Sequence, residues 1–502
     1  ELIENIQYLD IIEHSIEICL ENLSNKDSNV RYLIAKYISN ICQKLSKNLS
    51  DQIINLVFSK FEMASEELLH GICLIIGESI RKKILSPDYL PTVIIILEKA
   101  LIFEEYDVNH STGSIIRDSA CYISWALARS FESSIMKEYV IKFGTNLLMC
   151  ALFDKNTNCR KAAAASFQEN VGRQGYFLNG IEIISEMDFF SVSRISNSYL
   201  QIAPFVASFK NYTISFINYL AFNRSLHIEK NIRILSGKSL GLVSLLDTSY
   251  CNEFIIPKLI ELSLSKTVNK RHGALYSISC ILQAYSGNIQ RLIEKDKEIE
   301  NIFLRSLSIN EQKLVKSGIY LQEFQNKFNE QKTKNIVDLI PINMVNKILE
   351  IPSLLIEKKF FKGKGGEITR IGVLFLILGC SICKFKINEI KCKIWIQILE
   401  ECLRTTIEDI HKEVYQALEI FSKNILTYFK DLEINMIENF IKKIQFEKIK
   451  DIKKAFVKAI STFDSQILLI KYETIIELLC NNAKIKKDIL MNDAEIRVVS
   501  VY

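Results

Sequence analysis

The sequence has few of the residues that break helices. Its 502 residues include 17 glycines and 6 prolines, both low for the length. Because leucine, isoleucine and lysine are frequent instead, helix is favoured over sheet. A chain of this length exceeds what one hydrophobic core supports, so several domains or an array of repeats is expected.

Histidine is scarce too, with 6 residues in the chain. They do not combine with serine, cysteine or aspartate into a credible catalytic set, and a helical array has no natural deep pocket for catalysis. The sequence therefore predicts no enzyme activity, no catalytic residues, no bound cofactor and no metal site.

The 13 cysteines have no regular disulfide spacing and no signal peptide precedes them, which predicts reduced thiols in a cytosolic protein. Cys380, Cys383, Cys392 and Cys402 lie close enough in sequence to suggest a zinc site. All four fall on helical patterns, whereas zinc knuckles usually place their CxxC pair on a tight turn. We therefore interpret them as core thiols.

Neither the charge nor the hydrophobicity of the chain indicates a nucleic acid or a membrane span. The formal net charge is +5, which is small for this size. The most apolar run, 371–383, has 13 residues, fewer than the roughly 20 that cross a bilayer. The chain begins at Glu1 and stops at Tyr502 within a helical pattern, which predicts a fragment of a longer protein.

Helices and short polar turns alternate along the sequence, with predicted helix pairs such as 9–23 with 30–45. An arginine recurs in the first turn of the second helix of a pair. These arginines are Arg31, Arg117, Arg160, Arg233, Arg271 and Arg370. Their spacing gives a period near 40 residues, which is typical of an all-α solenoid of HEAT or armadillo repeats. Asp154 precedes Arg160 by six positions, a spacing similar to the Asp/Arg ladder of HEAT repeats.

The stretch 156–175, NTNCRKAAAASFQENVGRQG, is the most distinctive part of the chain. Asn158 is predicted to cap a helix whose four consecutive alanines let neighbouring helices approach closely. The helix is expected to end before Gly172 and Gly175, because glycine is common just past a helix end. Arg173 and Gln174 would then lie on a short polar loop.

Interruptions of the repeat pattern divide the chain into five predicted segments. The first, third and fifth are HEAT-type repeats, the second is an irregular segment packed on the array, and the fourth is a divergent polar insertion or linker with a helix at 312–329. Their bounds are 1–171, 172–200, 201–285, 286–357 and 358–502.

Two further features have competing interpretations. Gly363, Gly365 and Gly366 lie in a GKGG sequence that is similar to a phosphate cradle, but it lacks the P-loop spacing and a preceding strand, so a turn between repeats is favoured. Trp125 lies in a helical stretch that is almost wholly apolar, and we interpret it as a core residue rather than a binding hot spot. For Arg117 and Asp118, a ladder role and a binding role both stay open.

Four blocks of sequence, taken in order, resemble one family. They are IIRDSACYISWALARSFE at 115–132, ALFDKNTNCRKAAAASFQENVGRQGYFLNGIEIIS at 151–185, LSLSKTVNKRHGAL at 262–275 and FFKGKGGEITR at 360–370. They are similar to segments of the tubulin-folding cofactor D family of HEAT-repeat tubulin chaperones, and QENVGRQG is highly specific. The sequence departs from the family at Phe177-Leu178-Asn179, where the family has Phe-Pro-His, and through 286–357.

The residues that carry the resemblance are structural or bind a partner in this interpretation. They are Arg117, Asp118, Trp125, Asp154, Asn158, Cys159, Arg160, Gln168, Glu169, Asn170, Gly172, Arg173, Gln174, Gly175, Arg271, His272, Gly273, Gly363, Gly365, Gly366 and Arg370.

The resemblance implies a cytoplasmic chaperone without enzyme activity, also found at microtubules or the centrosome. Such a protein captures β-tubulin and works with tubulin cofactors, C and E among them, and with an Arf-like small GTPase. Together they assemble or take apart the αβ-tubulin heterodimer, with GTPase activation as part of the cycle. GTP hydrolysis occurs on tubulin and on the GTPase, so this chain would bind no nucleotide.

A solenoid presents a long concave surface, and we expect the second helices to line it and to contact a folded client. The QENVGRQG segment is either such a contact or a structural plug, and a plug is favoured because two glycines suggest a tight backbone path. The alternatives are a nuclear transport receptor, which would be strongly acidic, and a phosphatase-type scaffold, which would have more uniform repeats.

Overall fold

In a computed structural model, residues 6–62, 64–106, 111–288, 292 and 339–483 are described. Their regular structure is helical, and across these ranges the β-structure amounts to one isolated bridge between Tyr106 and Ser111. The helices follow one another as antiparallel pairs whose apolar faces are buried. The predicted fold class, an all-α array of HEAT or armadillo-type repeats, is confirmed.

The chain divides into two compact units, Glu1–Tyr219 and Leu220–Tyr502. The helices of the first unit are α1 (Ile6–Glu21), α2 (Ser28–Cys42), α3 (Lys47–Ser59), α4 (Glu66–Arg81), α5 (Leu90–Leu101), α6 (Ser114–Ser130), α7 (Ser133–Phe153), α8 (Thr157–Gln174), α9 (Gly180–Glu186) and α10 (Lys210–Phe222). The last of these runs three residues past the boundary. Helices α2, α4, α6 and α8 pack side by side as one layer, and α5 and α7 pack in the other.

The second unit repeats this arrangement. Its helices are α11 (Lys230–Ser244), α12 (Ile256–Ser263), α13 (Val268–Tyr285), α14 (Ile342–Glu357), α15 (Gly366–Ile382), α16 (Glu389–Leu403), α17 (Glu408–Asn424), α18 (Lys430–Phe446), α19 (Lys450–Ile460) and α20 (Tyr472–Ala483). Helices α11, α13, α15 and α17 form the layer of second helices, and α12, α14 and α16 pack beside them.

The predicted start and end of helix α8 are both wrong. Asn156, not Asn158, is the N-cap, and its side chain accepts a hydrogen bond of 2.8 Å from the backbone N–H of Asn158. The helix continues past Gly172 to Gln174 and ends at Gly175, whose φ of +69° is the left-handed conformation that favours glycine. Arg173 and Gln174 are therefore helical.

Small residues let α8 pack closely on two sides. Ala163 and Ala164 are buried, and α8 contacts both α6 and α7. Phe167 is fully buried and meets the ring of Phe177 edge-on at 5.2 Å. Phe177 also meets Phe143 at 6.0 Å, so the chain that follows α8 is held against the helices before it.

Two of the segments assigned from sequence contain regular structure. After α8, short helical turns are interspersed with α9, and a π-helical turn at Ser198–Ile202 lies between short α-helical segments. Within 286–357, the amphipathic helix α14 buries Ile348, Leu349 and Leu355, and it packs beside α12 and α16. The expected helix at 312–329 lies outside the described residues, and the segment boundaries stay a prediction.

The four cysteines that suggested zinc are buried in the second unit, as the interpretation of core thiols expects. Cys383 donates to the backbone oxygen of Leu282 with an S···O distance of 3.3 Å. Burial raises the pKa of the Cys392 thiol to about 12. No helix in the described part of the chain is long and apolar enough to cross a membrane.

Candidate protein-binding surface

The recurrent arginines are buried side chains that close the turn before their own helix. Arg31, Arg160, Arg233 and Arg271 are each at most 3% exposed. In every case Nη1 donates to the backbone oxygens six and five positions earlier; for Arg160 these belong to Asp154 and Lys155, at 2.8 and 3.1 Å. The arginine therefore satisfies turn carbonyls that helix geometry leaves without partners.

In each of these arginines Nε donates to the next repeat, and the residue that accepts this hydrogen bond changes along the array. Arg117 Nε donates to the Asp154 carboxylate, and Nη2 reaches the other oxygen at 3.2 Å. Burial opposes the charge of Arg117, but Asp154 outweighs it and raises the arginine pKa. The expected Asp/Arg ladder is present at this pair.

At the other repeats a neutral acceptor replaces the aspartate. Arg31 Nε donates to His70 Nδ1 at 2.9 Å, and Arg233 Nε donates to His272 Nδ1 at 3.2 Å. Arg160 Nε donates to the backbone oxygen of Val192 at 2.8 Å. The predicted arginine period is thus present in the structure, but the residue that accepts from Nε is not acidic in these three repeats.

On α15, the residue that links to Arg271 of the preceding repeat is Thr369, not Arg370. Thr369 Oγ1 accepts from Nε and Nη2 of Arg271 at 3.0 Å. Arg370 is half-buried one position further along α15. The guanidinium of Arg271 also lies over the ring of Phe360 at 4.2 Å, so it holds the turn that precedes α15.

The GKGG sequence forms that turn, as the favoured interpretation expects. Gly363 and Gly365 have φ of +77° and +84°. A Cβ on Gly365 would lie 2.4 Å from Val268, and one on Gly366 would lie 2.3 Å from the backbone oxygen of Phe361. Gly365 is therefore needed for packing against the neighbouring repeat, and Gly366 for the close path of the turn itself.

Gly273 permits a similar close approach. A Cβ there would lie 1.7 Å from the backbone oxygen of Ser225. The neighbouring His272 is fully buried and stacks on Tyr276. The RHG part of the third block is thus built into the core of the second unit.

Near Asp154, the matched residues separate into buried and exposed ones. Cys159 is buried, and its thiol donates to the backbone oxygen of Ser114 with an S···O distance of 3.2 Å. Asn158 and Asp118 are exposed, although Asp118 follows the buried Arg117 directly. The structure does not bring Asp118 into the Arg117–Asp154 ion pair.

The interpretation of Trp125 as a core residue is wrong, because its side chain is half-exposed on α6. Its ring stacks on Tyr122 with a 19° angle between planes and 5.9 Å between centroids. The Arg129 guanidinium covers the indole at 4.5 Å. An aromatic pair capped by a cation therefore lies at the protein surface.

Hydrogen bonds extend this pair across three neighbouring helices. Tyr122 Oη donates to Glu78 Oε1 on α4 at 3.0 Å, and Arg81 Nη2 donates to Glu78 Oε2 at 2.7 Å. On the other side, Arg129 Nε donates to Glu169 Oε1 on α8 at 2.8 Å. We call the seven residues the cation–aromatic row. They are Glu78, Arg81, Tyr122, Trp125, Arg129, Glu169 and Arg173.

The charges of the row are partly paired and partly exposed. Arg173 also donates through Nε to Glu169, so one carboxylate serves two guanidinium groups. Hydrogen bonds from Arg129 and Arg173 lower the pKa of Glu169. The three arginine side chains are 45–49% exposed, whereas that of Glu78 is 3% exposed.

The QENVGRQG segment has an inner and an outer face. On the inner face, Asn170 Nδ2 donates to the backbone oxygen of Ser124 at 3.0 Å, and Gln174 Nε2 donates to that of Ala128 at 3.1 Å. Both side chains are almost fully buried, and they fasten α8 to α6. This face is structural.

The outer face carries Gln168, Glu169, Gly172 and Arg173. No atom of the described residues outside its immediate neighbourhood lies within 4 Å of a Cβ built on Gly172. The tight backbone path that favoured a plug is therefore absent at Gly172. Glu169 and Arg173 on this face of α8 belong to the cation–aromatic row.

The sequence reasoning missed Arg81, Tyr122 and Arg129 as surface residues, and Glu78 as the buried carboxylate that holds two of them. A usable signal was present in α6, because Asp118, Tyr122, Trp125 and Arg129 recur at helical spacing within an otherwise apolar helix. The partners on α4 could not be read from sequence, since their pairing depends on how the helices stack.

Comparison with known proteins agrees with this repeat architecture. Residues 2–181 match the family model described as tubulin-specific chaperone D-like, ARM repeats. This chain is a relative of tubulin-specific chaperone D. It is 32% identical over 377 residues to the tubulin-specific chaperone D of Dictyostelium discoideum, an alignment that covers 74% of this chain and 22% of that protein.

A second relative is the tubulin-folding cofactor D of Schizosaccharomyces pombe, with 27% identity over 276 residues, 51% of this chain and 24% of that protein. The alignments thus span about a quarter of these tubulin chaperone relatives. Among solved structures, the karyopherin Kap121p bound to the SUMO protease Ulp1p covers 98% of this chain and 45% of the karyopherin, with 11% identity and a TM-score of 0.30.

Proposed function

We propose that this chain is part of a tubulin chaperone that binds β-tubulin and takes part in assembly and disassembly of the αβ-tubulin heterodimer. The observation that carries the proposal is the match of residues 2–181 to the tubulin-specific chaperone D-like repeats. The names of both relatives support it. In this proposal the chain binds other proteins and catalyses no reaction itself.

The cation–aromatic row is the contact surface that we propose for the client. Tryptophan, tyrosine and arginine are the residues that most often dominate binding energy in protein interfaces. All three occur in the row, on the layer of second helices that the sequence analysis expected to face a client. The buried arginines and the glycine turns hold these helices in position.

The other proposed partners are the tubulin cofactors C and E and an Arf-like small GTPase. In this proposal, the assembly that these proteins form together activates the GTPase. The nucleotide is bound by tubulin and by the GTPase. The cytoplasm, with microtubules and the centrosome, is the proposed location. The resemblance in four blocks of sequence supports these assignments.

A pull-down with matched variants tests the client surface. The immobilised chain is incubated with cell extract, and β-tubulin, cofactors C and E and the Arf-like GTPase are blotted in the eluate. We expect retention of β-tubulin by the chain and loss of retention by a variant with Arg129→Ala and Arg173→Ala. The control is Arg404→Ala, an arginine directly after α16 with the same 49% exposure as Arg173 and an ion pair to a glutamate four positions earlier, as Arg173 has.

Retention of importin cargo or a phosphatase subunit in place of tubulin would overturn the proposed function. Equal retention of tubulin by both variants would place the client contact outside the row.

The QENVGRQG segment needs a separate test, because its two faces have different surroundings. Arg173→Ala is expected to weaken tubulin binding at unchanged thermal stability. Gln174→Ala removes a buried side chain that donates to the backbone oxygens of Ala128 and Phe131 at the end of α6, so it is expected to lower the unfolding temperature. If Arg173→Ala destabilises the protein as much as Gln174→Ala does, the outer face is structural as well.

A further inference from the structure

The cation–aromatic row carries more positive than negative charge. Among the described residues, Arg81, Arg129 and Arg173 form ion pairs with two carboxylates, those of Glu78 and Glu169. The Glu78 side chain is almost completely covered, so the charge that reaches solvent along the row is mainly that of the arginines. Next to Arg81, the half-buried Lys82 adds a further cation that is held by Ser39 and Asn40 of α2.

The way in which Glu169 is bound leaves the guanidinium groups available to a ligand. Arg129 and Arg173 both contact it through Nε. Within the described ranges neither uses an Nη atom in a hydrogen bond. Arginine binds a carboxylate best through a fork of two parallel N–H donors, and each of these side chains still presents N–H donors at its outer end.

The aromatic pair divides the exposed cations into two groups. Arg129 and Arg173 lie together at one end because they share Glu169, and Arg81 lies at the other end beside Glu78 and Tyr122. Trp125 is between them, with Arg129 over its ring. A chain that crosses α8, α6 and α4 would therefore meet cations, then aromatic rings, then a cation.

Gly172 gives such a chain close access to helix α8. It lies one position before Arg173 on the exposed face and has no side chain. Glycine inside an exposed helix is less favourable than alanine, and among the described residues nothing packs against Gly172 to explain it. A peptide backbone can therefore approach the helix directly beside the paired arginines.

We propose that the row binds an extended acidic segment of a partner protein, with carboxylates at the two cationic ends and an apolar side chain against the Tyr122–Trp125 pair between them. This inference names the chemistry of the proposed client surface, and it rests on the proposed function only in taking the partner to be a protein. The formal net charge of +5 is small for 502 residues, which disfavours a nucleic acid as the partner.

The probe is a fluorescein-labelled glutamate-rich peptide with one central phenylalanine, and binding to the full chain is followed by fluorescence anisotropy. Its matched control peptide has glutamine in place of every glutamate. We expect the glutamine peptide to bind at least about tenfold more weakly, since charge-assisted hydrogen bonds are lost. Added salt is expected to weaken the glutamate peptide selectively.

Variants of the chain locate the site. Arg129→Ala with Arg173→Ala, and separately Trp125→Ala, are each expected to weaken peptide binding at least about tenfold. Arg404→Ala is expected to change it less than about twofold. Arg129→Lys with Arg173→Lys keeps the charge without the planar fork, so this variant should retain only part of the affinity that the alanine variant loses.

Equal affinity for the two peptides, or equal loss with Arg404→Ala, would overturn the inference. Tighter binding of a labelled single-stranded RNA than of the glutamate peptide would overturn it in favour of a nucleic-acid surface. A chain that retains tubulin but does not bind the glutamate peptide overturns this inference alone. A chain that binds the peptide at the row but retains no tubulin overturns the proposed function alone.

Discussion

Glu433 is a buried carboxyl group in the first turn of α18, and replacing it with glutamine should stabilise the protein in a pH-dependent way. The residue is 1% exposed. Neither carboxyl oxygen has a hydrogen-bond partner among the residues that the structure describes. Burial, with a smaller contribution from the charge of Asp464, raises the pKa of Glu433 to about 7.

The pKa shift fixes the sign and size of the effect. In the unfolded chain Glu433 ionises near its ordinary pKa of 4.5, whereas in the folded protein it keeps its proton up to about 7. Its contribution to stability is fully present below pH 4.5 and is lost as the pH rises through 7. Well above pH 7 the buried charge lowers the free energy of unfolding by about 3 kcal/mol relative to the neutral form.

Glutamine has the size of the protonated glutamic acid and cannot ionise. We expect Glu433→Gln to raise the free energy of unfolding by about 3 kcal/mol at roughly pH 8.5 and to change it little at roughly pH 5. The measurement is urea unfolding followed by circular dichroism at both pH values. Comparing variant with parent at each pH cancels the titration of all other groups.

Glu419→Gln on α17 is the matched control, because Glu419 is exposed. It should change the free energy of unfolding by less than about 0.5 kcal/mol, as surface substitutions usually do. An identical effect of Glu433→Gln at the two pH values would refute the reasoning, since the carboxyl group would then titrate as it does in the unfolded chain.

Two further predictions concern glycine and histidine positions. Gly273→Ala should lower the free energy of unfolding by about 1–3 kcal/mol, because its Cβ would lie 1.7 Å from a backbone oxygen. Gly172→Ala should instead raise it by about 0.5–1 kcal/mol, because no atom of the described residues outside its immediate neighbourhood lies within 4 Å of its Cβ. Both are measured by urea unfolding, and a change of the same sign in the two variants would contradict the packing argument. Burial and the nearby Arg31 lower the pKa of His70 to about 4. The neutral imidazole therefore contributes about 3 kcal/mol to the free energy of unfolding above pH 6.5, and this contribution is lost as the pH falls towards 4. His70→Gln should therefore flatten the acid side of the stability profile. The same change at the exposed His14 should alter the free energy of unfolding by less than about 0.5 kcal/mol.

The repeat period could be predicted from sequence because its signal is local. Each buried arginine donates to carbonyls five and six positions earlier, so its place in the first helical turn follows from its own repeat. The acceptor of Nε belongs to the following repeat and varies from Asp154 to His272 to Thr369. The stacking of the helices decides that partner. Spacing alone predicted an acidic ladder, and in the described part of the chain the recurrent arginines show it at Arg117 and Asp154.

The errors at Trp125 and Gly172 have the same origin. Trp125 lies on an apolar helix, but the stacking of α4, α6 and α8 leaves its ring at the surface. Gly172 was interpreted as a helix end, yet Asn170 and Gln174 bond carbonyls of α6 and carry the helix on to Gly175. In both cases tertiary contacts decided what local preference could not.

The arginine ladder also explains how this array accommodates inserted sequence. Arg31 and His70 are 39 positions apart, as are Arg233 and His272, whereas Arg271 meets Thr369 across 98 positions with its own turn contacts unchanged. Because Nη1 of the guanidinium group is occupied within its own repeat, the link to the next repeat does not depend on the length of chain between them. Loop closure entropy grows only slowly with length, so long segments can be gained or lost at this junction while the helices keep their neighbours.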